Sequence, residues 1–109
     1  MLKLDTVTGS GAKTASAVIF ARPCSFAGLT IATDGTNAVT VDVYDNATAA
    51  TGTKLIPTWI VPTSSANRIA ALEFLHMKRC ENGIYVNISV AGGGACSYTV
   101  DYIEGGSMQ

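Results

Sequence analysis

Val39, Val41 and Val43 alternate with Thr40, Asp42 and Tyr44, the two-residue period of a strand with one face on a core and the other toward water. A turn precedes it at Asp34-Gly35-Thr36-Asn37, where Gly can take positive φ and Asp or Asn can bond the backbone two residues on. Residues 25–32 alternate less regularly but lie between Arg22-Pro23 and that turn, so they read as the first arm of a hairpin whose second arm is 39–44. The same logic gives a second hairpin near the C-terminus. Ile84, Val86, Ile88 and Val90 share one face opposite Tyr85, Asn87, Ser89 and Ala91, and Gly92-Gly93-Gly94 supplies a turn. In residues 95–103 the row Cys96, Tyr98, Val100 and Tyr102 then opposes Ser97, Thr99, Asp101 and Ile103.

Between the hairpins lie residues 54–61 and 67–75, separated by Pro62-Thr63-Ser64-Ser65-Ala66; Pro57 marks the first segment as an edge strand or the site of a bulge. Residues 69–79 include good helix formers. However, Ala70, Leu72 and Phe74 also alternate with Ile69, Ala71 and Glu73, and every flanking segment is a strand, so consistency predicts a strand there too. The small residues of 46–53 read as an exposed loop. With 3–8 and 13–22 added, the count reaches about eight strands and predicts an all-β fold, a single antiparallel β-sandwich or jelly roll over residues 1–109.

Composition narrows the function. Charged residues are 14 % of the chain against 48 % apolar, so the surface must be built largely from Thr, Ser, Asn, Gly and Ala. Seven basic residues against eight acidic leave no electrostatic footprint for nucleic acid or an anionic membrane. No run approaches the ~20 apolar residues that span a bilayer. Met1-Leu2-Lys3-Leu4-Asp5 lacks the apolar stretch of a secretory signal, so synthesis without export is expected.

The residues that carry chemistry do not form a constellation. Cys24, Cys80 and Cys96 are odd in number and widely spaced, which predicts reduced, buried thiols rather than a disulfide framework. His76 is the one histidine, so there is neither a zinc-ligand pattern nor an evident base for a nucleophile. Asp42 with Asp101, or Asp5 with Glu104, offers paired carboxylates in principle. Asp42 and Asp101 oppose apolar rows, though, which points them to solvent. Asp34 to Asn37 and Asp45-Asn46 read as turns rather than calcium loops, and Gly92-Gly93-Gly94 lacks the residues of a phosphate loop. No enzyme activity, catalytic residue, metal or cofactor is expected. Among the aromatics, Trp59 shares parity with Leu55, Pro57 and Val61 and is expected in the core. Tyr44 and Tyr85 oppose the valine and isoleucine rows and are the candidates for an outer contact face.

Residues 38–55 run as a valine-rich strand, Tyr44-Asp45, a small-residue loop and Gly52-Thr53-Lys54 before the next strand; Gly83-Ile84-Tyr85-Val86 opens a later one. Together these resemble small β-sandwich virion proteins of tailed bacteriophages. The resemblance implies a capsid cement or decoration protein, made in the host cytoplasm and carried in the virion, that binds the major capsid protein or other virion proteins. A homo-oligomer is expected, a trimer above all. Neck or tail accessories and carbohydrate-binding host-adhesion modules are the alternatives it leaves.

Overall fold

A computed structural model describes residues 7–63 and 68–104, with the side chains of residues 68 and 73–76 outside that description. Eight strands follow in order: β1 (Thr8–Gly9), β2 (Ala17–Phe20), β3 (Cys24–Thr33), β4 (Val39–Tyr44), β5 (Trp59–Val61), β6 (Arg68–Cys80), β7 (Ile84–Val90) and β8 (Cys96–Glu104). They form two antiparallel sheets, β1-β8-β3-β6 and β2-β7-β4-β5. The pairs β1 with β8, β2 with β7, β3 with β6 and β4 with β5 are those of one long antiparallel hairpin. Winding that hairpin so that successive pairs alternate between sheets gives the strand order of a jelly roll. The all-β expectation therefore holds, and the two sheets make a β-sandwich.

The two local hairpins expected from the sequence do not form. β3 lies in the first sheet and β4 in the second, so residues 34–38 cross between sheets instead of folding back. β7 and β8 are separated in the same way by a 3-10 turn at Ala91–Gly93. The turn chemistry was legible, but it builds corners. At the first corner the Asp34 carboxylate accepts hydrogen bonds from the backbone N–H of Thr36 and Asn37 at 2.8 and 2.9 Å and from the Asn37 side-chain amide at 3.0 Å. It also accepts one from the Ala95 N–H at 3.1 Å, and the Ala91 N–H donates to the Ala38 carbonyl, so the two crossings brace one another. Asn37 packs so closely on Gly94 that a Cβ there would lie 2.2 Å from its amide nitrogen.

The single strand expected over 13–22 is likewise divided. Lys13 bridges Tyr98 in the first sheet, and the chain then passes to β2 in the second. Between them the buried Tyr98 hydroxyl donates to the Ala15 carbonyl at 2.7 Å and pins the passage. The strand expected from residue 3 lies mostly outside the described residues; its described part is β1. Residues 69–79 are strand rather than helix, as part of β6. In the 54–61 segment Lys54 bridges Tyr44, while pairing with β4 resumes only at Trp59; the register slips across Pro57, and β5 is an edge strand.

β3 alternates poorly in sequence because it carries a bulge. Phe26 faces Tyr102 and Gly28 faces Asp101, so Ala27 is an extra residue and the inward parity changes from Cys24 and Phe26 to Leu29 and Ile31. These side chains meet Val39, Val41, Val43, Ile84, Val86, Tyr98 and Val100 in the buried core between the sheets. Burial of aliphatic and aromatic surface there is the main stabilising term, at roughly 25 cal/mol per Å².

The four donors around Asp34, the Asn37 N–H foremost, hold its carboxyl well below the usual carboxylate range. A depressed folded-state pKa stabilises the fold above the unfolded value of about 3.9, and that contribution is lost as pH falls below it. Asp34→Asn should therefore melt below the wild type at pH 7, with the gap closing as pH falls below about 4. Thermal melts across that range check this; a gap that stays constant into strong acid would show that the charge is not what braces the corner.

Candidate interaction surface

Two regions of the surface concentrate side chains able to recognise something. The first is the outer face of β2-β7-β4-β5. Strand parity puts Tyr44 and Asp42 on that face of β4 and Tyr85 and Asn87 on that of β7, and the register sets Tyr44 directly opposite Tyr85 and Asp42 opposite Asn87. Both tyrosines are half-buried. Val18 of β2 lies opposite Tyr85 on the other side and is exposed, so Val18, Tyr85 and Tyr44 make an apolar row across three strands. The sequence singled out the two tyrosines separately, and the register makes them neighbours.

Polar groups lie alongside this row. The Thr58 hydroxyl donates to Asp42 Oδ1 at 2.5 Å and accepts from Lys54 Nζ at 2.6 Å, while Lys54 Nζ lies 3.0 Å from the same carboxylate oxygen. Ser16 donates to the Asn87 side-chain oxygen at 3.2 Å and accepts from the Ile88 N–H at 2.9 Å. Hydrogen bonding from Thr58, opposed by desolvation and aided by Lys54, lowers the Asp42 pKa from its ordinary value. The result is an ionised, oriented carboxylate close to two aromatic rings.

The second region is the side of the sandwich where β5 and β6 are the outermost strands. β6 has 13 residues and, among the described strands, pairs only with β3. Opposite Ala27 the β6 register slips again, since Gly28 faces Glu73 but Phe26 faces Lys78. Ile69 on β6 is 74 % exposed and Ile60 on β5 is 59 % exposed, and Met77 is exposed as well. A cavity of about 350 Å³ opens here, lined by Ile56, Pro57, Thr58, Trp59, Leu72 and Lys78. Trp59, expected in the core, is only partly buried: it packs on the core from the edge strand and presents surface to this cavity. It faces inward as its parity predicts, opposite Val41, and its remaining exposure comes from the place of β5 at the sheet edge. A separate notch of about 460 Å³ is lined by Phe20, Arg22, Pro23 and Glu104, with the Arg22 guanidinium 4.9 Å from the centre of the Phe20 ring.

The remaining chemical candidates stay apart. Asp42 and Asp101 lie on different sheets, so they do not make a carboxylate pair. Asp5 and the side chain of His76 lie outside the described residues. Asp45 accepts from the backbone N–H of Glu81, Asn82 and Gly83 and holds the corner between β6 and β7. The small-residue loop after it is organised by Asn46, which bonds Thr48, Ala49 and Thr51. Cys24, Cys80 and Cys96 are buried free thiols. Among the described residues no three His, Cys, Asp or Glu side chains converge as a metal site would require. No protein-family model, curated protein or solved structure matches the chain.

The Asp42 arrangement can be tested by titration. Replacing its hydroxyl donor with Thr58→Val should raise the Asp42 midpoint toward the ordinary carboxyl value, read from side-chain carboxyl chemical shifts against pH. An unmoved midpoint would mean that Thr58 does not orient this carboxylate.

Proposed function

We propose that this chain is a virion structural protein of a tailed bacteriophage, a capsid cement or decoration protein that works through protein–protein contacts and has no catalytic role. The observation that carries the reading is the β5–β6 side of the sandwich. Among the described strands β1, β2 and β5 are edges of two to four residues, whereas β6 is an edge of 13 that carries exposed Ile69 and Met77 and borders a largely apolar cavity. Soluble sandwiches usually keep edges short or charged because an open strand edge recruits other strands. A long open edge strand with exposed Ile69 and Met77 suits a protein that packs against neighbours. The jelly-roll strand order is also one that viral shell domains use, an analogy of fold that supports the reading.

The test is co-sedimentation of the purified protein with empty shells of the major capsid protein from the same genome, at several salt concentrations. Saturation at a fixed ratio, little weakened by salt, is expected, since few charges are available to be screened. Ile69→Lys should lower the affinity by at least about fivefold. A protein that ignores the shells would sink the proposal.

A second reading has its own observation. Tyr44 and Tyr85 side by side, with Asp42, Lys54, Thr58 and Asn87 around them, resemble in chemistry a platform for a sugar ring, with aromatic faces below and hydrogen-bonding groups at the rim. Binding to immobilised glycans that is lost in Tyr85→Ala would move the assignment to a host-adhesion module. Retention of shell binding by that variant would leave it with the capsid.

A further inference from the structure

Two of the three cysteines, 56 positions apart in the chain, face each other across one rung of the β3–β6 ladder, Cys24 opposite Cys80. Directly opposed residues of an antiparallel pair have Cα atoms about 4.5 to 5.5 Å apart, inside the range of about 4.4 to 6.8 Å that a disulfide spans. Both side chains are fully enclosed and in hydrogen-bonding contact. Cys96, the third, sits at the far end of β3, opposite Thr33, and cannot compete for either.

The two sulfurs are not equivalent. The hydrogen bond with Cys80 lowers the Cys24 pKa, while the same contact and burial raise that of Cys80. The Cys80 S–H has two acceptors within reach, the Lys78 carbonyl at 3.7 Å and the Cys24 sulfur. Neither sulfur is open to solvent, so exchange requires local opening of the ladder, and two features favour that opening here. Cys24 follows Pro23 and lies opposite Glu104, and both of those residues line the notch of about 460 Å³. Cys80 is the last residue of an edge strand, the place where a ladder opens most easily.

We propose that Cys24 and Cys80 are a thiol pair that oxidises, in the folded chain, to an intrachain disulfide by exchange with a small-molecule disulfide of the glutathione class. The Cys24 thiolate attacks one sulfur of the oxidant and releases one thiolate, leaving a mixed disulfide on Cys24. Cys80 loses its proton to solvent and attacks the Cys24 sulfur, closing the Cys24–Cys80 bond and releasing the second thiolate. The protein gives up two electrons and two protons, and the oxidant becomes two thiols. The bond clamps edge strand β6 to β3, so the sandwich is looser in a reducing cytoplasm and locked outside it.

The experiment incubates the native, reduced protein with oxidised glutathione, alkylates the remaining thiols and measures intact mass and linked peptides. A loss of about 2 Da, one alkylated cysteine at Cys96 and a peptide pair joined through Cys24 and Cys80 are expected. The oxidised form should melt roughly 10 °C or more above the reduced one, because the bond closes a long loop in the unfolded chain. Cys80→Ser should stop at a glutathione adduct on Cys24, and Cys24→Ser should give neither adduct nor bond, with a melt of each variant showing that it is folded. Three alkylatable thiols after prolonged incubation, or a bond through Cys96, overturns the proposal. A bond that appears only when the chain is refolded in the redox buffer also counts against it, since that bond would belong to folding and not to the folded sandwich.

Discussion

A wound hairpin must carry its chain from one sheet to the other at every corner without stranding backbone N–H groups, and here two aspartates at the ends of β4 meet that demand. Asp34, before the strand, gathers the N–H groups of Thr36, Asn37 and Ala95. Asp45, after it, gathers those of Glu81, Asn82 and Gly83. Each carboxylate stands in for a missing ladder partner, and an ionised acceptor bonds N–H groups more strongly than a carbonyl does. At the Asp45 corner the backbone is also held sterically. Gly83 has φ +149°, and a Cβ on it would lie 2.3 Å from the Phe20 carbonyl oxygen, so β7 can begin beside β2 only because that residue has no side chain. With these corners in place β4 has no route to pair with β3, and the core residues of the two sheets are brought face to face.

Most of the strand content could be read from the sequence because alternation reports half-burial, and half-burial does not depend on which strand is the neighbour. Val39, Val41 and Val43 point inward whether β4 pairs with β3 or with β7. Strand order is a different kind of information. Asp34-Gly35-Thr36-Asn37 and Gly92-Gly93-Gly94 have the composition of hairpin turns, and what makes them corners is a hydrogen bond from Ala95 to Asp34, 61 positions away. No local window contains that bond. Register was lost for a similar reason: the extra residue at Ala27 reverses the parity beyond it, which blurred β3 in the sequence, whereas the slip at Pro57 is two residues long and leaves Trp59 facing inward, at the rim of a cavity because β5 is an edge strand.

The candidate surfaces were legible to different degrees. Tyr44 and Tyr85 could be placed on an outward face by parity, but their pairing rests on the β4–β7 register. The β6 edge left no trace in the sequence, since residues 69–79 offered helix propensity and an apolar stretch that any buried strand would share. Ile69 is exposed because it lies opposite Ala32, on the outward face of the first sheet. The facing pair Cys24 and Cys80 was likewise hidden by separation along the chain. An odd cysteine count describes the whole set and cannot describe two members that share a rung.

The same topology constrains how copies would assemble under the proposed function. If β6 paired with β6 of a second copy, the contact would be its own partner under a two-fold axis, and assembly would stop at a dimer. A trimer requires that the β5–β6 side of one copy meet a different surface of the next. The opposite edges, β1 and β2, are short, and β2 bears its own bulge between Val18 and Phe20, so they offer few rungs for strand addition. A ring contact would therefore draw on side chains more than on ladder hydrogen bonds, with an apolar group seated in the cavity beside Trp59 and Leu72. That leaves the β6 backbone edge to the shell rather than to the ring, and separates the residues that would set oligomer number from those that would grip the capsid.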